Sequence, residues 1–188
     1  MTMGFIGRSV RRHRLRKWAS TEATGVTPLS SIRRATVIID ASDPAFEECR
    51  DEVMRFFGER GIKARILYSD FRRFNKEVRP VTDEKETFMR KDIGIFGLPK
   101  MKKLRPLIEE ECDLLISLPD DERFLTEFFT KAVKARFKIG SCGCGGEQFD
   151  LVVTPEWTGR CRDGRQSAEE SAQKEVFDKI SELLLQMR

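Results

Sequence analysis

Apolar runs of strand length alternate along the chain with segments of helical periodicity, and this order predicts the fold class. The runs are short and rich in β-branched side chains or leucine, as in strands buried on both faces of a sheet. Six segments have this character: residues 35–40, 63–68, 92–96, 114–116, 137–140 and 149–153. Their alternation with helices predicts an α/β protein with a Rossmann-like, doubly wound, mainly parallel sheet of about six strands.

The predicted helices each show one apolar face. The first follows Ser42-Asp43-Pro44, where a capping side chain precedes proline, and its apolar residues are Phe46, Cys49, Val53, Phe56 and Phe57. The second is the phenylalanine-rich segment after Pro119, and a C-terminal helix closes the chain. We also expect a short helix that opens at Pro106. These elements assign residues 32–188 to one domain.

The first 31 residues differ from that domain in charge, and we expect them to form a basic arm and linker. Residues 1–34 hold eight basic side chains against Glu22 alone, whereas the whole chain has a net charge of only +4. The residues that would contact a nucleic acid are Arg8, Arg11, Arg12, Arg14, Arg16, Lys17 and Trp18. Cations of this density suit phosphate contacts, and a neighbouring indole suits base stacking.

Three other interpretations of the leader remain open. Its apolar residues would also suit an interfacial helix on an anionic membrane surface. An arginine-rich, acid-poor start is typical of an organelle transit peptide. A solvated tail with no partner is the simplest alternative.

Cysteine usage favours a cytoplasmic protein. Five cysteines in a chain without an export signal indicate free thiols in a reducing compartment rather than a disulfide framework. Cys49 and Cys112 fall on apolar faces and are expected in the core.

The sequence gives little support for an enzyme, and we expect no cofactor. The only histidine, His13, lies in the leader, so the folded body lacks a Ser-His-Asp or Cys-His pair. No strand is followed by the glycine-rich loops that hold dinucleotides or triphosphates. Carboxylates or backbone amides would have to carry any catalysis.

A small-molecule site, if the protein has one, is expected outside the carboxyl ends of the strands, where the direction of the crossovers reverses. The polar residues that the pattern places there are Asp40, Ser42, Ser69, Asp70, Ser117 and Asp120. The alternative is that Asp43 and Asp120 cap helices and the serines satisfy loop backbone.

Cysteines near a glycine-rich segment are a weaker candidate for metal binding. Cys142 and Cys144 form a C-x-C pair, and Cys161 follows. Zinc and iron–sulfur sites normally take four ligands, and no fourth is apparent. We therefore predict no metal and regard the segment as a glycine connection.

Two stretches, Asp113-Leu-Leu-Ile-Ser-Leu118 and Ala135-Arg-Phe-Lys-Ile-Gly140, resemble the N-terminal half of the ADP-heptose-type glycosyltransferases. The likeness covers about residues 112–140 and implies a Rossmann-like half-domain. The donor-binding half of such enzymes has no counterpart in 188 residues. The chain also looks like a group of short, uncharacterised bacterial proteins with a basic leader and this one domain.

The sequence supports two function hypotheses. The first is a non-catalytic binding module whose basic arm contacts RNA, with the ribosome as the expected location. The second is a small glycosyltransferase-like or nucleotide-sugar-binding protein that uses the strand-end crevice, completed by a partner subunit.

Overall fold

The chain forms a six-stranded parallel sheet with helices on both faces. The computed structural model describes residues 5–73, 82–119, 123–141, 148–154 and 172–187. The strands are β1 (Arg34–Asp40), β2 (Lys63–Asp70), β3 (Thr87–Met89), β4 (Cys112–Ser117), β5 (Ala135–Ser141) and β6 (Leu151–Val153). The α-helices are α1 (Phe5–Trp18), α2 (Phe46–Gly58), α3 (Met101–Glu109), α4 (Phe124–Ala132) and α5 (Ala172–Gln186).

The strands lie in the order β3-β2-β1-β4-β5-β6, and every neighbouring pair is parallel. This is the strand order of a doubly wound Rossmann-like sheet, and it confirms the predicted fold class. Since the order reverses between β1 and β4, the crevice of such a fold opens at the carboxyl ends of these two strands.

Both faces of the sheet are apolar, because side chains alternate between the faces and most positions of the central strands are buried. On one face, Val37, Ile39 and Ile116 pack with α2 and α5. On the other face, Ile38 and Leu115 pack with α3 and α4. The continuous apolar runs of the sequence are thus explained by burial on both sides.

The third strand lies earlier in the chain than predicted. Thr87–Met89 pairs with β2, whereas the predicted strand at 92–96 overlaps two 3-10 turns, Arg90–Asp92 and Ile95–Gly97. The Asp92 carboxylate accepts hydrogen bonds from the Met89 N–H and from Lys103 Nζ. These contacts of Asp92 close the turn. The apolar periodicity of the sequence does not predict them.

Helix α3 begins at Met101, five residues before the predicted opening at Pro106, which lies inside the helix. Its buried residues Leu104, Leu107 and Ile108 pack on the sheet, and this packing offsets the hydrogen bond that proline cannot donate. As a result, Lys102, Lys103 and Arg105 belong to the helix.

Helix α1 and the linker are packed on the domain. Leu15 and Trp18 contact the core on the α4 side of the sheet. The Ser20 N–H donates to the Lys131 carbonyl at 2.9 Å, and the Gly25 N–H donates to the Arg136 carbonyl at 2.9 Å. The leader that the sequence assigns to an arm is therefore held against α4 and the start of β5, while the boundary at residue 31 stays a prediction.

Within the described ranges, no helix is both long enough and apolar enough to cross a membrane.

Candidate functional site

The outward side of α1 carries a row of cations. Arg8, Arg12 and Arg16 are exposed and recur every four residues, about 6 Å apart along the helix axis. Lys17 is exposed beside this row. None of the four forms an ion pair with a residue that the structure describes. We call these four residues the α1 cation row.

The inward side of α1 is engaged with the domain. The Arg11 guanidinium lies 4.6 Å from the centre of the Phe124 ring, and burial lowers the pKa of Arg11 from its ordinary value. The Trp18 ring packs against the α4-side core, and its Nε1 is buried and has no hydrogen-bond partner among the described residues. Arg14 is half-buried. Four of the seven residues predicted to bind nucleic acid form the α1 cation row and face outward. Arg11 and Trp18 instead hold the helix on the domain.

The two helical layers of the molecule have opposite charge. Helices α1, α3 and α4 together carry ten lysine and arginine side chains against two carboxylates. Helices α2 and α5 carry four against seven. Helix α1 has no acidic residue. One face of the sheet is therefore covered by a basic layer and the other by an acidic layer.

The sequence prediction missed the cations of α3 and the loops around it. Lys100, Lys102 and Arg105 are exposed in the same layer as α1. The Arg123 guanidinium lies 4.4 Å from the centre of the Phe71 ring. The local signal was present as the run Lys100-Met-Lys-Lys-Leu-Arg105, but only the fold places that run on the same face as α1.

The strand-end crevice is a cavity of about 310 Å³ next to β1, β4 and the first turn of α5. Asp40 and Ser42, two of the predicted residues, line it. Gln173 joins it to α5: its Oε1 accepts from the Asp40 N–H at 3.0 Å, and its Nε2 donates to the Asp40 carbonyl at 3.1 Å. Asp43 and Ser141 also line the cavity.

Three other predicted residues, Ser69, Asp70 and Ser117, do not line this cavity. Ser69 and Ser117 are fully buried, and Ser69 Oγ has no hydrogen-bond partner among the described residues. Asp70 is buried and forms a two-point ion pair with Arg72. Asp120 lies outside the described residues.

The charge of the described part of the crevice disfavours phosphate ligands. Asp40 and Asp43 line it and accept hydrogen bonds from their own loop, and among the described lining residues there is no lysine or arginine. Helix α2 adds Glu47 and Glu48 in its first turn, where a phosphate-binding fold would present unopposed N–H groups.

The structure describes two of the five cysteines, Cys49 and Cys112. Cys49 and Cys112 are buried, as predicted, and burial raises the pKa of Cys49 to about 12 and also raises the pKa of Cys112. Such thiols are unreactive core residues. The other three cysteines lie outside the described residues. Among the described side chains, no group of three metal-binding residues is present.

Comparison with known proteins gives one family match, to a family of unknown function. No curated protein and no solved structure matches the chain. The model of a family of unknown function, DUF6913, matches residues 8–156. The matched segment begins in α1 and runs past the end of β6, so it includes the basic helix together with the whole sheet. The chain belongs to this family.

Proposed function

We propose that the protein is a non-catalytic RNA-binding module whose basic layer contacts the phosphate backbone. The observation that carries the proposal is the α1 cation row: exposed cations without ion pairs among the described residues, on a helix without acids. Cations in this state bind phosphates without first breaking an internal ion pair, and the release of counterions from the RNA drives association.

The packing of α1 helps to decide between RNA and an anionic membrane surface as the bound polyanion. An interfacial membrane helix inserts its apolar side into lipid. Two apolar residues of α1, Leu15 and Trp18, pack on the domain and are not available to lipid. Their docking leaves the exposed cations as the outward feature of the described helix, which favours RNA over an anionic membrane surface.

The test replaces three cations of the row with neutral residues. Arg8→Gln, Arg12→Gln and Arg16→Gln, made together, keep helix-forming side chains and remove three charges. We expect the slope of log K against log salt for a single-stranded RNA to become shallower by about 2, since each phosphate contact contributes about 0.7. Fluorescence anisotropy over a salt series measures this slope.

A matched variant separates local contact from general charge. Arg33→Gln, Arg34→Gln and Lys63→Gln remove the same charge from exposed positions at the starts of β1 and β2. This variant should bind RNA nearly as the parent does. Equal losses in both variants, or none in the α1 variant, would refute the proposal.

Association with the ribosome is the finer part of the proposal. We expect the protein to co-sediment with ribosomes in a sucrose gradient at low salt, and the α1 triple variant to remain at the top. Anionic vesicles added in place of ribosomes test the competing membrane surface. Retention on vesicles alone would contradict the assignment to RNA.

A second candidate rests on the 310 Å³ crevice. The position of that cavity at the β1/β4 switch point is where doubly wound proteins bind small molecules, and it is compatible with the glycosyltransferase-like or nucleotide-sugar-binding hypothesis. The carboxylates of Asp40 and Asp43 oppose a diphosphate there, so we rank this function second. A thermal shift with millimolar UDP- or ADP-sugars tests it, because a ligand of the folded state raises the melting temperature.

A further inference from the structure

Half of β2 is an open sheet edge. On one side β1 pairs with β2 from Lys63 to Ser69. On the other side β3 pairs only with Tyr68–Asp70. Residues 63–67 therefore have no neighbouring strand on that side among the residues that the structure describes.

Alternate backbone groups at this edge point outward and have no partner among the described residues. The Lys63 N–H donates inward to the Arg33 carbonyl, whereas the Tyr68 N–H donates outward to the Glu86 carbonyl. Since successive residues of a strand direct their N–H and C=O groups to opposite neighbours, Ala64 and Ile66 direct theirs outward. No hydrogen bond joins these groups to any described residue.

The open edge is the base of a groove of about 590 Å³. Arg50 and Met54 of α2 form one wall, and Arg65 with Glu110 forms the other, where the two side chains make an ion pair. The Met54 side chain is 47% exposed, so its apolar surface is available to a binding partner. An unpaired edge beside an exposed apolar side chain is an arrangement that binds an extended peptide by strand addition.

The size of the edge decides between a peptide and a second copy of the chain. Five strand residues span about 17 Å, and a contact of that length and one strand wide is far smaller than the about 800 Å² that each partner of a stable dimer buries. One extended chain of about five residues matches the length of the open edge. The ion pair on one wall also discourages indiscriminate edge-to-edge pairing.

We propose that the open half of β2 binds an extended peptide segment of another protein, which adds to the sheet as a strand. The backbone of Ala64 and Ile66 pairs with the peptide, and an apolar peptide side chain contacts Met54. An acidic peptide residue lies beside Lys63, which is exposed and has no ion pair with a described residue. This site is separate from the α1 cation row and does not depend on RNA binding.

The test begins with a random peptide library displayed on phage and selected on the 188-residue chain. We expect enriched sequences with apolar residues at alternate positions and an acidic residue at one end. The most enriched sequence is then synthesised with ordinary and with N-methylated amides at alternate positions. One of the two alternating sets of peptide N–H groups pairs with the protein. N-methylation of that set should weaken binding at least tenfold, because it removes the peptide's main-chain hydrogen-bond donors.

Protein variants locate the site. Met54→Glu should weaken binding at least tenfold, whereas Leu185→Glu, at an equally exposed apolar position on α5, should leave it unchanged. Hydrogen exchange should show new protection at the Ala64 and Ile66 amides when the peptide is present. A library that enriches nothing, or binding that is indifferent to both N-methylation and Met54→Glu, would overturn the proposal. Concentration-dependent self-association that Met54→Glu abolishes would overturn it in favour of a second copy.

Discussion

At the scale of single residues, Asp113 attaches the linker to the sheet. Its Oδ2 accepts the N–H groups of Arg33 and Arg34 at 2.8 and 2.9 Å. Burial opposes its ionisation, but these two N–H groups and the charges of Arg34 and Arg136 outweigh burial and hold the pKa of Asp113 below its ordinary value. The carboxylate is therefore more stable in the folded than in the unfolded chain.

We expect Asp113→Ala to lower the free energy of unfolding by about 1–3 kcal/mol at pH 7, because two N–H groups lose their acceptor. The contribution of Asp113 is complete above its unfolded pKa of 3.8 and is lost as the pH falls through the lower folded value. Urea unfolding at pH 7 and near pH 3 should show the difference from the parent shrinking in acid. Asp51→Ala, at an exposed carboxylate, should show no comparable effect.

Lys138 is a second residue whose role only its surroundings reveal. Its side chain is buried on β5, and Nζ donates to the carbonyls of Thr130 and Val133 at 2.8 and 2.9 Å. These carbonyls lie at the C-terminal end of α4, where helices leave acceptors unsatisfied and favour positive charge. Lys138 thus caps α4 from beneath.

Lys138→Met should destabilise the protein by about 1–3 kcal/mol, because the two carbonyls are left without a donor. Burial lowers the pKa of Lys138 below its ordinary value of 10.5. Between the lowered pKa of the folded chain and the ordinary pKa of 10.5, Lys138 binds more protons in the unfolded chain than in the folded chain. The free energy of unfolding therefore rises with pH in this interval, and the Lys138→Met variant should lack this rise. Thermal unfolding from pH 7 to 10 measures both effects, with Lys134→Met, at a half-exposed position, as control. A pH-independent parent would contradict the assignment.

At the scale of elements, α1 packs against α4 and the Ile95–Gly97 turn. The Trp18 ring, Leu15 and the Arg11–Phe124 contact join it to the domain. We expect Trp18→Ala to cost about 2–3 kcal/mol, less than a fully buried tryptophan. It should also increase hydrogen exchange across α1 while the central strands stay protected. Val26→Ala, at an exposed linker position, is the control. If Trp18→Ala instead increased hydrogen exchange equally throughout the sheet, α1 would not unfold separately from the domain.

At the scale of the whole molecule, the separation of charge into two layers matters more than the net charge of +4. Glu47→Gln, Glu48→Gln and Asp51→Asn, made together, remove three negative charges from the acidic side of the sheet and raise the net charge by three. RNA affinity at 150 mM salt should rise less than threefold, because the Debye length is about 8 Å and the sheet separates the layers. A tenfold rise in anisotropy titrations would show that net charge, rather than the basic layer, governs binding.

The sequence by itself determined the fold class, most strands and the basic character of the leader. Apolar periodicity reports burial directly, so β1, β2, β4 and β5 and the closing helix were found near their observed places. The strand at 92–96 and the start of α3 were misplaced, because a buried ion pair and packing around Pro106 decide them.

The tertiary structure decided how these parts meet. It placed α1 on α4 and the cations of α3 in the same layer, and among the described residues it lined the crevice with Asp40, Ser42 and new residues such as Gln173. It also brought the Phe149 ring over Gly140, where a β-carbon would lie only 2.4 Å from the ring. Contacts between residues far apart in the chain leave no local pattern, since their energy depends on positions that only the folded sheet fixes.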